Sequence, residues 1–325
     1  MLHITPWKAA AFVATILLVL YSLAQFSSFQ DLRDKTAATI AHVTPIEKYQ
    51  RPLVLYAYAE SDTSRENLDF FVQKGIHGAA DFVFIFNGPT NATDLIPSHP
   101  NVEVVKRNNT CYDLGAFGEV LLAGDRWKSY KRFVVMNASV RGPFFPNYMK
   151  PCWTDAFLNR LNDRVKLVGT TINCFPHPHL QTMVLATDDV GMSILLNRTL
   201  ATSLDNVDKW GGKDDPVGFT ACFEDRNKAV HSEIGITGLI RSQGYDVDVM
   251  LTSFSVDEED LTSYCASDKR NADPLVDGHY FGANIHPYEM VFMKTNRHVA
   301  ETTMEIMTEW HRSRGWSSWD ACPAS

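Results

Sequence analysis

Several features that would tie this chain to a common chemistry are missing. It has no basic excess: 30 Lys and Arg against 38 Asp and Glu give a formal charge of −8. A phosphate backbone calls for a basic face, so nucleic acid is excluded as a partner. None of the six cysteines stands in a Cys-x-x-Cys pair, which argues against the usual zinc frameworks. There is no Gly-x-Ser-x-Gly elbow and no persuasive carboxylate pair, so a hydrolase has little to build on. No internal repeat or low-complexity tract is present, and no strong linker follows residue 50.

What is present is an ordinary globular balance, 45% hydrophobic and 21% charged over 325 residues, enough for one sizeable core. The apolar material is unevenly placed. Residues 9–26 carry no charge and follow Lys8; as a helix they would span about 27 Å, close to a thin bilayer. The run exceeds a signal-peptide core, which favours an uncleaved transmembrane anchor, although Ser22-Leu23-Ala24 also makes a passable cleavage site. The flanking charges weakly favour a cytosolic tail (1–8) and a luminal body. The expected layout is a tail, an anchor (9–26), a polar stem (27–50) and one luminal domain (51–325), held in the ER or Golgi membrane as a single-pass type II protein. Sequons at Asn91, Asn108, Asn137 and Asn197, and an even number of cysteines, fit an oxidising compartment with one to three disulfides whose pairing the sequence leaves open.

The body reads as alternating strands and helices. Leu53–Ala59 reads as a buried strand, and Phe82–Phe86, Val102–Lys106, Phe133–Met136, Val165–Thr170 and Met183–Ala186 are further short strand candidates. Ser64–Gly75, with a capping serine and a terminal glycine, Leu114–Ala123, Val190–Leu196 and Glu233–Gln243 read as helices. Asp188 and Asp189 precede one of these and suit capping. Val299–Arg312 places Val299, Met304, Met307 and Trp310 at helical spacing toward a core. Asp246 and Asp248 read as the polar side of an alternating strand. The expected fold is a mostly parallel α/β sheet flanked by helices, Rossmann-like, with its ligand crevice outside the carboxyl ends of the strands.

Five segments, in order, carry a resemblance: RNNTCYDLGAFGEVL (107–121), FVVMNASVRGPFFP (133–146), LVGTTINCFPHPHLQTMVLATD (167–188), EIGITGLIRSQGYDV (233–247) and HPYEMVFMKTNR (286–297). Together they resemble glycosyltransferases of the GT-A type, and within that type the bacterial rhamnan-synthesis F family of polysaccharide-assembly enzymes. The resemblance covers roughly residues 50 to 300. It implies a GT-A-like fold, a nucleotide-sugar donor, a glycan or polysaccharide acceptor, and a divalent cation, Mn²⁺ or Mg²⁺, on the diphosphate.

The residues can be matched to that chemistry one by one. Asn109 and Asp113 lie on a loop opening a helix, where they can reach ribose or base, and Asn109, Asp113 and Gly115 fit the family's Asn followed by Asp-x-Gly. Asp113 fits a helix cap equally well. Asn137-Ala138-Ser139 stands where relatives carry Asp-x-Asp and where the rhamnan family is expected to carry Asn-Asp-Ser. Ala138 is a departure that leaves metal dependence in doubt, because a hard cation prefers carboxylate oxygens. Arg141 is an alternative source of positive charge, as a bidentate phosphate clamp, or else a surface arginine paired with an acid. Asn137, inside the crevice, is expected to be unglycosylated.

His179 and Gln181 match a His-x-Gln element that shapes the pocket, with a structural histidine as the plainer reading. Glu233 is the candidate general base, placed at the start of its helix, with Glu224 and Asp225 as alternatives. A first-turn glutamate favoured by the helix dipole would look the same. HPYEMVFMK reads as a strand ending in Lys294, which can pair with diphosphate and is followed by Arg297. His286 is a thin candidate for a metal ligand. The competing reading from another class is a non-catalytic, membrane-anchored glycan- or nucleotide-binding relative that has lost the metal motif, and Ala138 favours it.

Overall fold

The computed structural model describes residues 50–266 and 273–322. The tail, the anchor and the stem up to residue 49 lie outside these. Among the described residues no helix is long and apolar enough to cross a membrane.

The first half of the body alternates strand and helix. Strand β1 (Leu53–Ala59) leads to helix α1 (Asp62–Lys74), and β2 (Asp81–Asn87) and β3 (Val102–Arg107) lead to α2 (Tyr112–Leu122). Then come β4 (Arg132–Asn137), the two-residue β5 (Val140–Arg141), α3 (Trp153–Leu158), β6 (Val165–Gly169), and the short β7 (Ile172–Asn173) and β8 (His179–Leu180). The second half contains β9 (Val184–Asp188), α4 (Asp189–Leu195), α5 (Arg198–Ser203), α6 (Arg226–Ser242), β10 (Asp246–Val249) and α7 (Leu261–Cys265). It ends with α8 (Pro287–Met290), β11 (Met293–Lys294), α9 (Glu301–Ser313) and α10 (Ser318–Ala321).

Seven strands form one sheet in the order β10-β6-β9-β4-β1-β2-β3. β1 pairs in parallel with both β2 and β4, and β3 pairs in parallel with β2. β9 is the exception, running antiparallel between β4 and β6. The mixed α/β sheet is therefore mostly parallel, and chain order reverses direction across β1. From β1 the chain steps outward to β2 and β3, then returns to β4 on the other side. A reversal of that kind opens a crevice at the carboxyl ends of the two central strands.

The core explains why these segments form strands. Leu53 to Tyr58 are each no more than 1% exposed, as are Phe84 to Phe86 of β2; a strand covered on both faces must be apolar at every position. Phe71 of α1 packs on Tyr56, Phe84, Trp153 and Phe292, and the indole of Trp153 donates to Gly75 O at 2.7 Å.

Several expectations need correction. Ser61, not Ser64, caps α1, accepting from Ser64 N. Gly75 has a right-handed φ of −103°; a Cβ there would sit 2.5 Å from the Phe71 ring, so close packing rather than a left-handed turn requires glycine. HPYEMVFMK is a short helix followed by a two-residue strand, because Val291 turns at φ 66°. Trp310 points outward at 56% exposed, whereas Val299, Met304 and Met307 are buried. Asp188 caps its helix as expected, accepting from Gly191 N at 2.9 Å. Asp248 and Asp246 pair with Arg160 and Arg164 at the sheet edge.

All six cysteines are paired, Cys111–Cys222, Cys152–Cys322 and Cys174–Cys265.

Candidate active site

A cavity of about 400 Å³ opens at the carboxyl edge where β1 and β4 meet. Its floor is Ala57 and Ala59 from β1 and the turn Asn137-Ala138-Ser139 leaving β4. Asp113 enters from α2, Arg226 and Glu233 from α6, and Lys294 from β11. Residues more than 230 positions apart in sequence thus share one wall.

Helix α2 reaches this edge through close packing and a covalent tie. A Cβ at Gly118 would meet Phe219 O at 1.9 Å, and one at Gly115 would meet Ala221 O at 2.7 Å. The two glycines let the helix lie directly on the segment that leads into α6, and the Cys111–Cys222 disulfide fixes the same contact. Cys111 and Tyr112 both take left-handed backbone angles, φ 72° and 51°. Two consecutive non-glycine residues there store strain, and the bridge holds them where Asp113 must enter the cavity.

Asp113 is not a cap. It lies in the first turn, and its Oδ2 accepts from Asn137 Nδ2 at 2.8 Å. Burial pushes its carboxyl up to about 6 and the nearby Glu233 adds to this, while the Asn137 hydrogen bond and Lys294 pull it down. Asn137 is fully engaged. Its Oδ1 accepts from Ser139 N at 3.1 Å and from Ser139 Oγ at 2.6 Å. Ala138 N donates to Ala57 O at 2.9 Å. A glycan on Asn137 would have to displace the Asp113 contact from inside the cavity.

Glu233 does not open its helix. Helix α6 starts at Arg226, seven residues earlier than expected, capped by Asp225, whose side chain accepts from Lys228 N. Glu233 is therefore about two turns in, and the first-turn dipole explanation no longer applies to it. Glu224 and Asp225 are exposed and do not line the cavity. Lys294 reaches the cavity because β11 pairs antiparallel with β5, opposite Val140, and Thr295 N donates to Ser139 O at 3.0 Å.

Four expected site residues lie elsewhere. Asn109 is exposed on the loop before α2 and does not line the cavity. Arg141 is buried behind it: Nε donates to Asn67 Oδ1 at 2.9 Å, Nη1 to Thr308 Oγ1 at 3.2 Å and Nη2 to Glu66 Oε2 at 2.6 Å. Three of its five N–H donors are committed to protein, and Arg141 does not line the cavity where a diphosphate would sit. Its role is positional, since Asn67 Nδ2 donates to Ala138 O and to Thr295 Oγ1, both at 2.8 Å. Arg141→Ala is expected to destabilise the fold by about 2 kcal/mol, the cost of leaving buried polar partners unmet, and Arg141→Lys should not restore it. A urea unfolding midpoint equal to wild type would return the residue to a surface role.

His179 and Gln181 are buried beside the cavity without lining it. His179 Nδ1 contacts His177 O at 2.7 Å, and burial lowers its pKa, opposed by that contact and by Glu233 and Asp273. Gln181 accepts from Thr171 Oγ1 at 2.7 Å and donates to Asp273 at 3.3 Å. His286 is a helix cap, its Nδ1 accepting from Tyr288 N. Arg226, Tyr112, Thr182 and Asn296 line the cavity unanticipated. Arg226 was legible in principle, as the residue after an Asp with cap character.

The turn Asn137-Ala138-Ser139 does not fit a divalent cation, and the cavity's carboxylates are Asp113 and Glu233. Asn137 Oδ1 is saturated, Ala138 offers no side-chain oxygen, and Ser139 Oγ donates into the same turn. Among the described residues, the one cluster of three His, Cys, Asp or Glu ligand atoms is His77, Cys152 and Cys322, where the two sulfurs are bonded to each other.

Compared with known protein families and with curated proteins, the chain matches none. Solved structures give partial likenesses. A mannosyltransferase, PcManGT from Pyrobaculum calidifontis in complex with GDP-Man and Mn²⁺, is 16% identical with a TM-score of 0.37, over 71% of this chain and 64% of that one. An active-site mutant of LgtC is 10% identical with a TM-score of 0.42, over 81% of this chain and 96% of that one. The apo-form glycosyltransferase GlyE of Streptococcus pneumoniae is 10% identical with a TM-score of 0.36, over 61% and 45%. The chain thus spans less than two thirds of the length of PcManGT and of GlyE.

Proposed function

We propose that this chain is a glycosyltransferase that moves a sugar from a nucleotide-sugar donor to a glycan or polysaccharide acceptor. The observation that carries the reading is the convergence of Asp113, Asn137, Ser139, Glu233 and Lys294 on one cavity at the strand-order reversal. Asp113 suits the hydroxyls of a ribose, and Lys294 the diphosphate. In the transfer step the acceptor oxygen forms a bond to the sugar's anomeric carbon and passes its proton to the Glu233 carboxylate. The bond from that carbon to the diphosphate oxygen breaks, and the electron pair leaves with the phosphate. Membership of the rhamnan-synthesis F family, the anchor at 9–26 and a luminal, disulfide-permitting setting belong to the same reading.

The second reading is a binder that has kept the cavity without turnover, favoured by Ala138 in place of a metal ligand. The two separate on one experiment, in which the full chain is incubated with UDP-, GDP- and dTDP-sugars. A ligand at about 100 times its Kd adds about 2.7 kcal/mol of stability, visible as a shift in melting. With glycan acceptors added, stabilisation with release of nucleoside diphosphate, the sugar passing to an acceptor hydroxyl or to water, supports the transferase, and stabilisation without release under any of these conditions supports the binder. No response to any donor would sink both.

A further inference from the structure

Resting on the transferase reading, we propose that Lys294 and Arg226 hold the donor's diphosphate directly, with no bridging divalent cation. Three observations converge on this. First, the turn where a metal would be bound is closed on itself: the Asn137 carboxamide spends its oxygen on Ser139 and its nitrogen on Asp113. Second, the backbone of that turn is also spent, with Ala138 O accepting from Asn67 and Ser139 O from Thr295. A cation placed there would have to strip hydrogen bonds that hold the cavity floor.

Third, side chains of the cavity supply two positive charges that can face a diphosphate. Arg226 and Lys294 line the cavity from different elements, the first residue of α6 and the end of β11. Neither forms an ion pair with a carboxylate among the described residues. Arg107, Arg126, Arg141, Arg160 and Arg164, by contrast, are each tied to an acid. Lys294 acts on Asp113 only through space. Arg226 and Lys294, without an ion pair among the described residues, share the cavity with the carboxylates Asp113 and Glu233, and they are the groups there that can meet the about two negative charges of a diphosphate esterified at both ends. When the sugar departs the diphosphate gains one more, and the same two groups are in place to receive it. Arg226 is exposed, so its guanidinium can swing onto the ligand, whereas Lys294 is partly buried and held by the β5–β11 pairing.

The test is binding of UDP, GDP and dTDP to the full chain, purified in detergent, followed by calorimetry and by melting, in EDTA and in MnCl₂. The expected result is that one nucleotide binds in EDTA as tightly as in Mn²⁺, and that Lys294→Ala and Arg226→Ala each weaken it by at least about tenfold, the worth of a charge-assisted hydrogen bond. Lys294→Arg should retain binding. Arg226→Ala at an exposed position keeps the test valid should Lys294→Ala fold poorly. Binding that requires Mn²⁺, or that survives both alanine variants, overturns this inference and leaves the transferase reading standing. No nucleotide binding in either buffer overturns both.

Discussion

Replacing Glu233 by Gln is expected to lower sugar-transfer turnover by at least about 10²-fold, the usual loss when a general base is removed, with little change in unfolding midpoint. The structural grounds are its position. Glu233 lies about two turns inside α6, whose N-terminus is capped by Asp225, so the substitution removes no cap and no first-turn dipole contact. It projects into the cavity that also receives Asp113 and Lys294, and glutamine keeps its size. The measurement is steady-state transfer with the donor identified by melting, with kcat and KM determined separately. A fall in kcat at unchanged KM assigns proton transfer; a rise in KM alone would make Glu233 a binding group. A rate near wild type would move the base elsewhere, and Asp113 would be the next carboxylate to change. Glu233→Gln should also let the Asp113 carboxyl move down, because Glu233 helps hold it up.

How much of this was legible in sequence differs by element. The central strands were, to within a residue or two, because a strand covered on both faces must be apolar along its length, as Leu53–Ala59 and the 82–86 stretch of β2 are. The start of α6 was not. Its first two turns, Arg226 to Ser232, are largely polar, and their helical state is set by the Asp225 cap and by packing on neighbours. Arg141 looked like a clamp because its three partners come from Glu66, Asn67 and Thr308, none of them near it in the chain. β11 was misread for a related reason: pairing with β5 spans only Met293 and Lys294, too short to impose an alternating pattern. Asp113 and Lys294 were readable as candidates. Their meeting was not, because it depends on Gly115 and Gly118 admitting the backbone of residues 219–221 and on which of the six cysteines pair.

Asp113 also carries the largest expected effect on stability. A carboxyl held at about 6 instead of its ordinary 3.8 penalises the folded state once it ionises, by up to about 3 kcal/mol at 1.36 kcal/mol per unit. The sign follows from which form the fold prefers. Folding favours the neutral acid, so the penalty is absent below about pH 3.8, grows through the window to pH 6, and is complete above it. Asp113→Asn, which keeps an oxygen for the Asn137 amide, is therefore expected to raise stability at pH 7.5 by up to about 3 kcal/mol and to leave it unchanged near pH 4. Urea unfolding of wild type and variant across that range measures the difference, in which the other titrating groups cancel. A gain that does not depend on pH, or a loss at pH 7.5, would mean that the fold does not resist this charge. Lys294 offsets part of the penalty, so in a Lys294→Ala background the gain from Asp113→Asn should widen. An acid kept against the preference of its own fold at the mouth of a cavity is what a site selected for a ligand, and not for stability, would retain.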